Sequence, residues 1–172
     1  MSAVIDSHHD DHHHGPAKGF SRWLYTTNHK DIGSMYLWFS LIMLFVGGAM
    51  AMVIRAELFE PGSQIVSPEF YNQMVTNHGL IMVFGVIMPA FVGFANWMIP
   101  MQIGAPDMAL PRLNNLSFWI LPVAFGILLS TFFMEGGAPN FGWTFYAPLS
   151  TEYAPPTVTF FIFSVHIMGA SS

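Results

Sequence analysis

Four stretches of this chain carry no Asp, Glu, Lys or Arg. They lie between Asp31 and Arg55 (23 residues), between Glu69 and Asp107 (37), between Arg112 and Glu135 (22), and after Glu152 (20). Together they hold 102 of the 172 residues. A bilayer core roughly 30 Å thick needs about 20 apolar residues per helix, so each stretch is long enough to span. Only 9% of the residues are charged and 53% are hydrophobic, where an ordinary soluble domain carries about 25% charged residues. The pattern therefore excludes a soluble domain and predicts an all-α, polytopic transmembrane bundle. The net charge of −5 comes from few charges of either sign and offers no basic patch for nucleic acid. With no cysteine, disulfides, thiolate zinc sites, Cys-ligated clusters and Cys nucleophiles are all excluded. A metal here would take His, carboxylate, Met or carbonyl ligands.

The windows predict spans at about residues 33–54, 71–100 and 116–134, with a fourth beginning near Pro156 and running off the end of the chain. Seventeen residues from Pro156 to Ser172 are marginal for a crossing, so the chain is expected to be a piece of a larger protein. Residues 1–20 form a separate zone, expected to be a disordered tail. Its SHHDDHHH run at 7–14 suits either a metal-binding tail or a merely solvated one. Trp23, Tyr25, Arg22 and Lys30 suit a membrane interface. Lys18, Arg22, Lys30 and Arg112 fall on one side of the predicted spans. Arg55 falls on the other, with Glu57, Glu60, Glu69, Glu135 and Glu152. The positive-inside rule then puts the N-terminus in the cytoplasm.

Few polar groups enter these spans, and such groups are costly in a membrane and functional by default. His78 lies about 12 Å inside the outer end of the second span, and is either a metal or haem ligand or a helix-to-helix hydrogen bonder. His166, in the fourth segment, favours the structural role. Tyr71 and Asn96 lie seven residues before and 18 residues after His78. Five α-helical turns put His78 and Asn96 on one face, about 27 Å apart. Pro89 is expected to bend that helix. The glycines at 79, 85 and 93 admit close neighbours or a flat ligand. Asp107, Asn114, Asn115 and Ser117 suit either a water-borne proton path or a polar turn with Asn caps. Arg55 suits a cofactor carboxylate or a lipid headgroup. Trp143 and Tyr146 suit a cofactor edge or an interfacial belt.

Four segments carry a resemblance. TNHKDIG at 27–33, IRAELFEPG at 54–62, the block HGLIMVFGVIMPAFVGFANWMIPMQIGAPDMALPRLNNLSFW at 78–119, and GWTFYAPLS at 142–150 closely resemble subunit I of the haem–copper oxidases, of the bacterial cytochrome c oxidase type. The likeness runs from residue 21 to the end. It implies that His78 is an axial ligand of a low-spin haem, of the A type. It also places Arg55 at that haem's formyl group, with Trp143 and Tyr146 beside its propionates and Tyr71 on the same side. Glu57 and Gly62 fall where the family has a peripheral Ca or Na site. Asp107 resembles the entrance of a proton channel, Asn96 and Asn114 its constriction, and Ser171 and Ser172 hydroxyls further along.

The family's subunit has twelve helices, against three and part of a fourth here. Its second low-spin ligand, its copper B ligands and the ligand of its second haem have no counterpart in this sequence. The resemblance implies a catalytic subunit of a terminal oxidase in the bacterial plasma membrane, partnered by subunits II and III. It would take electrons from cytochrome c, reduce oxygen and pump protons. A quinol donor, or a haem-free non-catalytic fragment, is the alternative. The chain alone is expected to be inactive.

Overall fold

A computed structural model describes residues 19–63 and 65–171. The His-rich run and Ser172 lie outside them. Among the described residues the regular elements are all helical: α1 (Phe20–Tyr25), α2 (His29–Glu57), α3 (Pro68–Leu80), a π segment (Ile81–Ile87), α4 (Met88–Ile103), α5 (Pro111–Ser130) running into a 3₁₀ turn (Thr131–Phe133), and α6 (Val158–Ala170). Three rods are long and apolar enough to cross a membrane: α2, the continuous stretch Pro68–Ile103, and Pro111–Phe133. Only 28–33% of each apolar window is buried. Most of the apolar surface therefore faces outward, which water would penalise and lipid or further helices would not.

The spans begin earlier than hydropathy predicts, because capping chemistry rather than apolarity starts a helix. α2 opens at His29, where the Asn28 side chain accepts the Lys30 N–H at 2.8 Å, and Asp31 lies in its first turn, favourably placed for the helix dipole. Asp31 is also gripped by Arg22 at 2.9 and 3.1 Å and by the Thr26 hydroxyl at 3.2 Å, which straps α1 to the start of α2. α5 opens at Pro111, not near Leu116. Proline suits the first helical turn, since its missing N–H has no partner there anyway.

The second rod corrects a larger expectation. Pro89 follows a π segment, at the start of α4. In that segment the Met88 N–H bonds the Val83 carbonyl, five residues back. The ladder has absorbed an extra residue just before the proline, which has no N–H to continue it. One extra residue turns everything beyond it by about 100°. His78 and Asn96 therefore do not share the face that five uninterrupted α-turns would give them.

α2 packs along the whole second rod and also meets α5, which in turn packs on α6. The core is aromatic and aliphatic: Tyr36 meets Phe118 edge-on at 5.1 Å and Phe39 lies 5.5 Å from Phe125, with Ile32, Leu121 and Leu128 fully enclosed. α2 and α4 come closest at Gly33 and Gly93. A Cβ on Gly33 would stand 2.7 Å from Trp97 Cδ1 and 2.9 Å from the Gly93 carbonyl, whereas one on Gly48 meets nothing within 4 Å. Gly33→Ala is thus expected to destabilise the bundle by about 1–3 kcal/mol through overpacking. Gly48→Ala is expected to be neutral or stabilising by about 0.5–1 kcal/mol, as glycine is a poor helix former. Thermal unfolding in detergent compares the two, and equal midpoints would refute the close crossing.

Candidate functional site

Polar side chains gather at the two ends of the bundle. At the end opposite α1, His78 Nδ1 lies 2.9 Å from the carbonyl of Gly47 on α2. A carbonyl only accepts, so Nδ1 carries the proton. In neutral imidazole the Nε2 lone pair is then uncommitted, which is the state a metal ion requires. Metal-ligating histidines commonly donate their other ring N–H in this way. Glycine at 47 lets the helices approach: a Cβ there would stand 2.9 Å from Met82 Sδ and 3.1 Å from Ile81 Cγ2. Next to His78, a Cβ on Gly79 would lie 3.4 Å from Trp143 Cδ1, an ordinary van der Waals distance, so the exposed indole neighbours this turn of the helix.

Beside that contact is an apolar cavity of about 200 Å³, bordered by Phe84, Trp143, Phe145, Phe161, Val165 and His166. His166 is exposed and donates through Nδ1 to the Ile162 carbonyl of its own helix at 2.8 Å, not to a neighbouring helix. The structure thus brings together His78, Gly79 and Trp143, with His166 beside the indole. Arg55 and Tyr146 are exposed and Tyr71 is half-buried. His78 does not line that cavity; what suits it to haem iron is its own chemistry, an imidazole whose Nδ1 proton is committed to a carbonyl.

Glu57 does a more local job. Its Oε2 accepts the backbone N–H groups of Ile65 and Val66 at 2.8 and 2.9 Å. This closes the loop that contains Gly62, where φ is 101°. Among the described residues, no group of three or more His, Asp or Glu could hold a metal ion.

At the α1 end the pivot is Asn96, 3% exposed. Its Oδ1 accepts from Asn114 Nδ2 at 2.6 Å, its Nδ2 donates to the Val92 carbonyl at 2.9 Å, and its own carbonyl accepts from His29 Nδ1 at 2.8 Å. Asn115 Nδ2 donates to the Leu24 carbonyl at 2.8 Å. These asparagines are not caps. Asn114 and Asn115 sit within the first turns of α5 and tie it to α4 and α1. Asp107 is half-buried in the preceding loop, and its Oδ1 accepts the Met108 N–H at 2.7 Å. Ser171 is buried and donates back to the Met168 carbonyl at 2.7 Å. The sequence alone did not single out His29, although its place two residues before Asp31 in the polar NHKD start of a span was a usable signal. The buried trio Gln73, Thr76 and Asn77 was passed over as well.

The fold defines a polytopic helical membrane protein, with a hydrogen-bonded imidazole at one end and an amide cluster at the other. The family model for cytochrome c and quinol oxidase polypeptide I matches residues 31–172, and the chain belongs to that family. It is 46% identical over 162 residues to cytochrome c oxidase subunit 1 of Corynebacterium diphtheriae, covering 92% of this chain and 29% of that protein. It is 49% identical over 141 residues to cytochrome c oxidase subunit 1 of Corynebacterium glutamicum, covering 81% of this chain and 24% of that protein. The chain thus spans between a quarter and a third of the length of such relatives.

Proposed function

We propose that this chain forms part of the catalytic subunit of a proton-pumping terminal oxidase in a bacterial plasma membrane. That oxidase would take electrons from cytochrome c, work with subunits II and III and reduce oxygen to water. The observation that carries this reading is the His78–Gly47 hydrogen bond, which leaves Nε2 free to ligate iron. Haem, when bound, supplies one-electron exchange between ferric and ferrous iron. His78 would hold a low-spin haem of the A type. Trp143 and Tyr146 would hold its propionate end, Arg55 its formyl group, and Tyr71 would contribute on the His78 side. A second haem and copper B would be held by residues beyond those of this chain, so the chain alone would not reduce oxygen.

Residues 21–172 would form the transmembrane part, with the N-terminus and residues 1–20 in the cytoplasm. Asp107 would then take up protons from the cytoplasm. The hydrogen-bonded Asn96–Asn114 pair would order water above it, and Ser171 and Ser172 would extend that path. Amides donate and accept hydrogen bonds without titrating, so such a pair orients water while a carboxylate exchanges the proton. Glu57 and Gly62 would contribute to a peripheral Ca or Na site through the loop they share. The test is oxygen uptake by the oxidase assembled around this chain. Rapid oxidation of reduced cytochrome c is expected, and oxidation of a quinol but not of cytochrome c would reassign the donor.

A further inference from the structure

Three polar residues of α3 lie in the interior at the end of the bundle where apolar ones are expected: Gln73, Thr76 and Asn77, at 7%, 1% and 0% exposure. Positions i, i+3 and i+4 share one helix face, and this face meets the loop at 137–142. Thr76 Oγ1 accepts the Gly142 N–H at 3.0 Å while donating to the Asn72 carbonyl at 2.8 Å. Asn77 Nδ2 donates to the Pro139 carbonyl at 3.2 Å and to the Gln73 carbonyl at 2.8 Å. Both of its partners only accept, so the amide orientation is forced. A Cβ on Gly137, whose φ is 72°, would lie 2.5 Å from Gln73 Nε2, so the Gln73 amide sits directly against the loop backbone. On its other side the loop is tied to the segment before α6, where the Thr157 hydroxyl donates to the Gly137 carbonyl at 2.6 Å.

Loops usually run over the surface and move; this one is fixed by buried side chains. Burying polar groups costs desolvation that an apolar trio would avoid. What the trio contributes is placement. Trp143 follows Gly142 directly, and its indole neighbours Gly79, while His78 follows Asn77 directly. The same helical turn therefore sets both the imidazole and the indole.

We propose that Gln73, Thr76 and Asn77 are positioning residues that clamp Trp143 against the low-spin haem pocket and thereby set the electronic environment of that haem. The proposal rests on the assignment of His78 as the haem ligand. The test uses the assembled oxidase. Thr76→Val removes the accepting hydroxyl. It is expected to retain the low-spin haem while shifting both its reduced-minus-oxidised α band and its midpoint potential. Thr76→Ser keeps the hydroxyl and is expected to restore the parent values. A parent-like band and potential in Thr76→Val, or identical behaviour of the Val and Ser variants, overturns the clamp. Should Thr76→Val fail to accumulate, Asn77→Asp removes the donor to Pro139, and a parent-like spectrum there overturns it equally. His78→Ala runs in parallel: retention of the low-spin haem in that variant overturns the ligand assignment and the clamp with it, whereas its loss beside parent-like clamp variants overturns the clamp alone.

Discussion

Replacing His78 with alanine in the assembled oxidase is expected to abolish the low-spin haem signal altogether. The imidazole supplies a nitrogen lone pair that can ligate iron. Its Nδ1 proton is already committed to Gly47, which leaves Nε2 as the ligating atom. Alanine offers neither the lone pair nor the hydrogen bond to α2. The loss should therefore be complete, where removing only an outer partner of a metal ligand typically weakens binding about 10- to 100-fold. The measurement is the reduced-minus-oxidised spectrum of purified enzyme, normalised to protein. A spectrum of undiminished amplitude would remove His78 from the iron.

Asp107→Asn is expected to leave that spectrum intact and to slow turnover by on the order of a hundredfold, the scale of a lost proton-transfer group. The substitution is selective for charge. Asparagine keeps an Oδ1 that can accept the Met108 N–H now bonded to the carboxylate, so the turn before α5 survives. What disappears is the capacity to bind and release a proton. Oxygen uptake and proton release from vesicles, measured together, check this. Parent rates of both would take Asp107 off the path.

How far the sequence discloses this molecule varies with the physics involved. The spans are legible because a bilayer sets a length and forbids charge, and those constraints read directly from residue types. Span boundaries were misplaced by four or five residues because Asn28 and Pro111 start helices through hydrogen-bond geometry, which hydropathy does not register. His78 and Asn96 stand out as polar residues in apolar company. Their relation to each other did not, because a π segment is built from Ile, Met, Val, Phe and Gly residues that serve equally well in an α-helix. Asn114 was ambiguous until α4 was seen beside it. Gln73, Thr76 and Asn77 were passed over because they lie near a span end, where polar residues are ordinary and only tertiary packing shows that these are enclosed.

The π segment bears on how the two ends of the protein are related. A rod with one uninterrupted ladder carries a single angular phase, so the azimuth of an imidazole near one end dictates that of an amide near the other. Inserting one residue's worth of ladder between them decouples the two settings. His78 can be aimed by α2 at Gly47, and Asn96 by α5 and His29, without either aim compromising the other. The information lies in the number of residues between Leu80 and Met88 rather than in their identity. That makes this stretch intolerant of any change in length.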